Sequence, residues 1–167
     1  MNGGRVRSHW KRFGKFSFLS ARHQFEWYPP FFLMRVTVVE LAEDWSMARI
    51  RLPLNRVSAN AAGNMFGGYQ ASLADPVPAL ACLKKFPGYR VATKRLELDF
   101  IRVGNSDLML HFDFDPQTAL MIGQQLKDKE RATPCFSMSF VREDGKVCTR
   151  IKNTVAIRPK GYTGNHE

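Results

Sequence analysis

Residues 64–82 read NMFGGYQASLADPVPALAC, and this stretch decides how the rest of the chain is arranged. The helical spacing of its apolar side chains predicts a buried helix over residues 68–85. An aspartate, Asp75, interrupts the apolar run and is followed at once by Pro76 and Pro78. Carboxylates and residues without an amide hydrogen are unusual in a core helix, so this segment is also a candidate functional site.

The two prolines leave two interpretations open. Pro76 has no N–H to donate to the carbonyl of Ser72, and Pro78 leaves the carbonyl of Ala74 without its donor in the same way. An interior proline costs a regular helix about 3 kcal/mol, so the helix is expected to bend and to expose backbone polar groups beside Asp75. In the other interpretation the helix ends near Asp75, which then acts as the N-cap of a second helix.

Gly67 and Gly68 stand directly before the helix. Glycines at a helix N-terminus allow another group to approach the free backbone N–H donors, which suit an oxyanion or a polarised carbonyl. Ordinary close packing against the two glycines is the alternative explanation.

The rest of the chain is dominated by period-two patterns, which predict strands with one apolar face. These patterns cover residues 34–42, 46–52, 90–102, 107–115, 135–140 and 147–157. Asp144–Gly145 predicts a hairpin between the last two strands, and Asp115–Pro116 predicts the start of a short helix that runs to about Asp128. The order is two strands, a long helix, two strands, a short helix and two strands, which predicts a mostly antiparallel α+β fold.

The composition fits an ordinary globular protein with a single structural domain. The chain has 167 residues, of which 44% are hydrophobic and 24% are charged. It contains no apolar run long enough for a transmembrane helix, and its N-terminus lacks the apolar core of a secretion signal. Three cysteines without CxxC spacing favour free thiols over disulfides or a zinc site. We therefore expect a cytoplasmic protein without a metal site.

The net charge of +10 is unevenly distributed. Six basic residues and no acidic residue precede Glu26, and five basic residues lie in 146–160. Such stretches favour anionic partners, namely nucleic acid, an acidic membrane face or a phosphate-bearing ligand, although a solvated surface is the plain alternative. Nucleic-acid binding is the least favoured, because no basic–aromatic recognition motif is present. The chain is divided into a basic arm (1–26), a domain (27–160) and a tail (161–167).

The run FGGYQASLADP at residues 66–76 resembles the glycine–glycine, helix and aspartate segment of the PaaI-like hotdog-fold thioesterases. A YPP segment at residues 28–30 and the ending IRPK at 157–160 make the chain especially similar to an uncharacterised bacterial branch of that superfamily. The resemblance covers about residues 27–160. It implies a hotdog fold, in which an antiparallel sheet wraps around one long central helix, and an activity of acyl-CoA thioester hydrolysis.

The resemblance also implies four catalytic positions. The amide of Gly67 polarises the thioester carbonyl, and Asp75 acts as nucleophile or general base. Thr93 and Asn60 help to hold the attacking water. One departure from the family concerns Phe66, which stands where many relatives have histidine.

The spacing of two of these residues predicts a dimer. Gly67 and Asp75 are eight residues apart, which corresponds to about 12 Å along a helix axis. A carbonyl bound at Gly67 therefore cannot meet Asp75 of the same chain. If both act on one substrate, a two-fold homodimer must hold two sites at its interface, as the resemblance also implies. Whether two dimers form a tetramer is left open.

Coenzyme A is expected as part of the substrate, and no separate cofactor is implied. The predicted substrate-binding residues are Gly68, Phe66, Lys94, Arg95, Arg102 and Lys152, with the four basic residues as candidates for the coenzyme A phosphates.

The sequence also favours one alternative activity and argues against another. A non-catalytic acyl-CoA or fatty-acid binding protein is favoured by the apolar ring of Phe66. A dehydratase or hydratase is disfavoured, because it needs an active-site histidine. His9, His23 and His166 lie in the predicted arm and tail, and His111 lies on the polar face of a predicted strand.

Overall fold

A computed structural model of the chain describes residues 20–162. Its helices are α1 Ala21–Glu26, α2 Pro29–Leu33, α3 Gly67–Ala74, α4 Pro76–Lys85 and α5 Pro116–Lys129. Its strands are β1 Thr37–Leu41, β2 Met47–Leu52, β3 Tyr89–Phe100, β4 Leu108–Asp113, β5 Cys135–Arg142 and β6 Val147–Pro159. The predicted order of elements is confirmed, and every predicted strand ends within three residues of its observed bounds.

The six strands form one antiparallel sheet in the order β1-β2-β4-β5-β6-β3. The predicted alternation of β4 is confirmed, because Leu108, Leu110 and Phe112 are fully buried while the residues between them are not. The β5–β6 hairpin turns at Gly145, whose positive φ of 78° explains the glycine. The predicted α+β plan, with an antiparallel sheet, is therefore the observed one.

The last residue of β3 differs from the prediction. Leu96, Leu98 and Phe100 were expected to share a buried face, but the two leucines are only partly buried and Phe100 is 55% exposed. The reason is topological: β3 has β6 on one side and no described strand on the other.

Helices α3 and α4 follow one another across the inner face of the sheet. Leu73, Ala74 and Val77 are completely buried there, as are Ala81 and Cys82 in the next turn. Asp75, between the two helices, has right-handed helical torsions of φ −56° and ψ −56°, and its side chain makes no capping hydrogen bond. Helix α3 thus ends at Ala74 and α4 begins at Pro76, with Asp75 at the N-cap position, as the second interpretation expects. The helical torsions of Asp75 agree with a continued, bent path, and the capping bond from its side chain is not formed.

Helices α1 and α2 were not predicted as elements. Phe25 of α1 and Phe31 of α2 are buried with their ring centroids 4.5 Å apart, and the carboxylate of Glu26 accepts a hydrogen bond of 2.7 Å from the amide of Val38. The packed part of the molecule therefore begins within the segment that was assigned to the basic arm. The remainder of that arm, and the end of the predicted tail, lie outside the described residues.

The start of α5 is as predicted. The carboxylate of Asp115 accepts hydrogen bonds of 2.8 Å and 3.0 Å from the amide and the hydroxyl of Thr118, and Pro116 is the first helical residue. Within residues 20–162, no helix has both the length and the apolar character needed to span a bilayer.

Candidate active site

The junction between α3 and α4 is held by a side chain from the sheet. Pro78 removes the donor that the carbonyl of Ala74 would have in a regular helix. The amide nitrogen Nδ2 of Asn153, on β6, replaces it with a hydrogen bond of 3.2 Å to Ala74 O and a second of 2.8 Å to Asp75 O. A strand residue thus satisfies the carbonyl of Ala74 that Pro78 leaves without a donor, and it also bonds to the carbonyl of Asp75.

Thr93 reaches the same junction from β3. Its hydroxyl donates a hydrogen bond of 3.0 Å to the carbonyl oxygen of Asp75. The main chain of Asp75 is therefore fixed from two neighbouring strands, while its carboxylate is exposed. Thr93 was predicted to hold a water molecule. Its proton is committed to Asp75, but its oxygen can still accept a hydrogen bond from water.

Two buried polar contacts on β6 were missed by the sequence analysis. Asn153 is completely buried, and within the described part of the chain its Oδ1 has no hydrogen-bond partner. Thr149, also completely buried, donates a hydrogen bond of 2.6 Å to Oε1 of the buried Gln70 on α3. The signal was present, since Thr149 and Asn153 are polar residues on the apolar period-two face of β6.

The carboxylate of Asp75 opens into a cavity of about 670 Å³. Aromatic side chains of α1 and α2 and the ring of Trp45 form one wall, and Leu80 and Leu83 of α4 form the other. Small-molecule sites in proteins have similar volumes and a similar apolar lining with few polar groups. The cavity is therefore suited to an apolar group attached to a centre that Asp75 can reach.

The predicted glycine pair begins α3, with Phe66 as the preceding residue. The amides of Gly67 and Gly68 make no hydrogen bond within residues 20–162, as expected for the first turn of a helix. A Cβ atom on Gly67 would lie 2.9 Å from Cζ of Phe100, and a Cβ on Gly68 would meet the ring of Phe66. Both explanations of the glycines therefore apply: the donors are free, and two aromatic rings pack closely against them.

Asn60 lies in an exposed loop before the glycines. Its Oδ1 accepts hydrogen bonds of 2.9 Å from the amide of Ala62 and 3.1 Å from the amide of Asn64. These bonds shape the loop and leave the Nδ2 group as the part of the side chain available to a ligand.

One chain does not bring the predicted catalytic residues together. Gly67 lies at the Phe100 end of β3, where the Phe100 ring contacts it. Asp75 lies beside Thr93, which is seven residues from Phe100 and four residues from Tyr89 at the other end of the same strand. Each end of β3 thus carries one half of the predicted site.

The predicted phosphate-binding residues do not form one cluster. Arg95 pairs with Glu97 at 2.9 Å, and Arg102 donates a hydrogen bond of 2.8 Å to the carbonyl of Val147. Lys94 is exposed at a bulge beside Thr93. Lys152 alternates with the inward-facing Asn153, which places Lys152 on the outer face of the sheet. Lys94, next to Thr93, therefore belongs to the Asp75 half of the predicted site. Arg102, shortly after Phe100, belongs to the Gly67 half.

Among residues 20–162, no histidine or cysteine side chain lines the cavity of Asp75. His111 lies on the outer face of the sheet, where burial and the charge of Arg49 lower its pKa. The described cysteines are free, and burial raises the pKa of the Cys82 thiol to about 12, so that thiol stays protonated. Within residues 20–162, no three His, Cys, Asp or Glu side chains are grouped as a metal site.

Comparison with known proteins assigns the chain to a family. The model of a family described as a domain of unknown function, DUF4442, matches residues 17–157. The match fits the predicted similarity to an uncharacterised branch. No protein with a curated description matches the chain.

Solved bacterial structures share the fold at low sequence identity. A Pseudomonas aeruginosa protein of unknown function, described as a probable thioesterase, has a TM-score of 0.74 and 20% identity, covering 83% of this chain and 93% of its own. A thioesterase from Haemophilus influenzae has a TM-score of 0.63 and 13% identity, with coverages of 85% and 91%. The PaaI protein of the Escherichia coli phenylacetic acid degradation operon has a TM-score of 0.59 and 16% identity, with coverages of 84% and 91%. The predicted hotdog fold is confirmed.

Proposed function

Because the chain belongs to the DUF4442 family, a domain of unknown function, and has the hotdog fold, we propose that it hydrolyses acyl-CoA thioesters at a site shared by two subunits. One observation carries the proposal. The carboxylate of Asp75 is exposed at an apolar cavity, while Thr93 and Asn153 fix its main chain. A reactive carboxylate needs such a fixed position beside a pocket for the rest of the substrate.

The free edge of β3 supports a shared site. β3 is twelve residues long and pairs with β6 alone among the described strands. Unpaired edges of this length are templates for pairing with another chain. Antiparallel pairing of two β3 strands about a two-fold axis near Leu96 and Glu97 would set Phe100 of one chain opposite Thr93 of its partner. Gly67 of one subunit would then approach Asp75 of the other.

The proposed reaction uses both halves. The Gly67 amide, at the positive end of the α3 dipole, donates a hydrogen bond to the developing oxyanion. Asp75 takes a proton from water, and the hydroxide adds to the thioester carbon. The tetrahedral intermediate then expels the coenzyme A thiolate, which recovers the proton from Asp75. A carboxylic acid and free coenzyme A result. Direct attack by Asp75 is the alternative route.

The cavity beside Asp75 is the proposed binding site for the acyl group of the substrate. The acyl group is proposed to enter the cavity between α4 and the α1–α2 pair, whose lining is mostly aromatic and aliphatic. Coenzyme A would remain outside, where Lys94 of one subunit and Arg102 of the other are candidates for its phosphates.

A second candidate function is binding of acyl-CoA or fatty acid without turnover. The rings of Phe66 and Phe100 pack against the glycine pair and are 50% and 55% exposed. Apolar rings beside the free amides suit a lipid chain at least as well as a polarised carbonyl. Mass spectrometry of ligands retained during purification separates the candidates, because an intact bound thioester supports binding alone.

The test is the release of free thiol from a panel of acyl-CoAs by purified protein, with Asp75→Asn and Asp75→Ala beside wild type. We expect both variants to lose about 10²-fold or more in kcat, the range for a general base, with an unchanged melting temperature. Asp128→Asn, at an exposed carboxylate on α5 away from the proposed site, is the matched control. Turnover that persists in Asp75→Ala contradicts the role of Asp75, and no turnover of any acyl-CoA rejects the reaction.

A further inference from the structure

Helix α2 and its surroundings present an apolar surface to solvent. Trp27, Phe32, Leu33 and Val57 are 64%, 61%, 68% and 56% exposed, and they line an open depression of about 630 Å³. We call these four residues the α2 patch. Contiguous exposed patches of several large apolar side chains are uncommon on soluble proteins and mark surfaces that bind a partner.

The opposite face of α2 packs into the core and holds the α2 patch in place. Phe31 and Met34 are each only 4% exposed and anchor α2 in the core. The rings of Trp27 and Phe32 lie 6.2 Å apart on the outside. Core packing therefore fixes the outward direction of the Trp27 and Phe32 side chains, so their exposure follows from the fold.

The charge around the α2 patch is positive. Arg22 and Arg35 border the depression, and the one acidic residue in its lining, Glu26, is already paired with Arg22 and the amide of Val38. The sequence before the patch, residues 1–19, carries five basic residues and no acidic one. A partner that carries negative charge over an apolar interior is complementary to this combination.

We infer that the α2 patch docks the protein on an anionic membrane surface. Tryptophan, phenylalanine and leucine beside arginine and lysine are the side chains that occupy the boundary between head groups and acyl chains. Basic residues near that boundary are attracted to anionic lipids. Since no described helix can cross a bilayer, the docking is peripheral.

Two other occupants fit less well. A second copy of the chain, related by a two-fold axis through the patch, would bring Arg22 and Arg35 against the same cations. A nucleic acid would satisfy the cations, but the aliphatic side chains of Leu33 and Val57 match acyl chains better than a phosphate backbone.

The test is co-sedimentation of the full-length chain with vesicles of phosphatidylcholine alone or mixed with phosphatidylglycerol. Phe32→Asp/Leu33→Asp removes the apolar contact, and Phe32→Ser/Leu33→Ser does so without adding charge. The matched control is Leu120→Asp/Met121→Asp on α5, where the side chains are 71% and 58% exposed. All four side chains are exposed, so the variants are expected to fold, and circular dichroism checks this.

We expect binding to the anionic vesicles alone, weakened by salt. Binding should fall about tenfold or more in both α2 variants, because two large apolar side chains no longer insert, and stay unchanged in the α5 control.

Three results would overturn the inference. One is no binding to anionic vesicles at low salt. Another is undiminished binding of both α2 variants, which would assign it to the basic arm alone. The third is a lower oligomeric mass of the α2 variants in light scattering, which would show that a second copy covers the patch.

Discussion

Asn153 illustrates how one residue compensates for a covalent constraint elsewhere in the chain. A proline in a helix leaves the carbonyl four residues earlier without its donor, and a buried carbonyl without a donor is costly. Here the side-chain amide of Asn153 supplies that donor to Ala74 and also bonds to Asp75. The same contacts position the Asp75 carboxylate, so the residue that compensates for the proline also supports the candidate active site.

At the residue scale, His111 provides a prediction about pH. Burial and Arg49 lower the pKa of His111 in the folded state, so the unfolded chain takes up this proton first as the pH falls. The free energy of unfolding that depends on His111 is thus present above its unfolded pKa and is lost as the pH falls towards the lowered folded pKa. We expect urea midpoints to decrease less steeply in His111→Gln than in wild type between about pH 7 and pH 5.

His23→Gln is the control for this prediction, since His23 is exposed on α1. Equal pH dependence of His111→Gln and wild type would contradict the assignment.

At the scale of elements, two polar contacts fasten the central helix to β6. Thr149 binds Gln70 on α3, and Asn153 binds the junction before α4. The apolar residues next to these contacts, such as Leu73 and Val77, are completely buried and supply most of the packing. Hydrophobic contact is non-directional, whereas the hydrogen bonds of Thr149 and Asn153 select one rotation and one register of the helix on the sheet.

The coupling between Asn153 and Pro78 is testable by a double-mutant cycle. Asn153→Leu should lower the free energy of unfolding by about 1–3 kcal/mol, because the Ala74 carbonyl then lacks a donor. In a Pro78→Ala background the new amide of residue 78 can donate to that carbonyl, so the same substitution should cost less. Urea denaturation measures all four proteins.

Thr154→Val, a neighbouring substitution on β6, is the control for the cycle. Strictly additive effects of Asn153→Leu and Pro78→Ala would contradict the proposed exchange of donors.

At the scale of the whole molecule, the proposed site depends on two subunits. Gly67 and Asp75 lie towards opposite ends of β3 in one chain. A two-fold axis across the free edge of β3 would turn each end of one strand towards the opposite end of the other. The activity and the assembly are therefore linked in this proposal, and a monomer would hold two incomplete halves.

Mixed dimers test this link directly. Asp75→Ala removes one half of the site, and Gly67→Pro removes the other, because proline has no amide hydrogen and is tolerated at the first position of a helix. Each variant alone should be inactive. Equal co-expression should restore about a quarter of wild-type activity, because half of the dimers are mixed and each has one intact site. Thiol release and native mass spectrometry of the same sample give activity and composition.

Two differently tagged copies of Asp75→Ala provide the control for recovery by mixing alone. Inactive mixtures that demonstrably contain mixed dimers would show that the site belongs to one chain.

Local sequence determined the six strands, the central helical segment and α5, and with them the α+β class of this protein. Apolar side chains at every second residue specify strands, and those at helical spacing specify α3, α4 and α5, since these periods follow from backbone geometry. Asp115–Pro116 and Asp144–Gly145 marked a helix start and a hairpin for equally local reasons. The acidic residue and the glycine pair stood out because they interrupt such a pattern.

Only the tertiary structure decided what surrounds them. Asn153 and Asp75 are 78 residues apart in the chain, and Thr149 and Gln70 are 79 apart, so no local pattern connects them. The cavity wall formed by α1 and α2 and the half-exposed ring of Phe100 likewise depend on which elements become neighbours. The physical reason is that periodicity records which face of an element is buried, whereas the contacts of a site depend on how distant elements pack against each other.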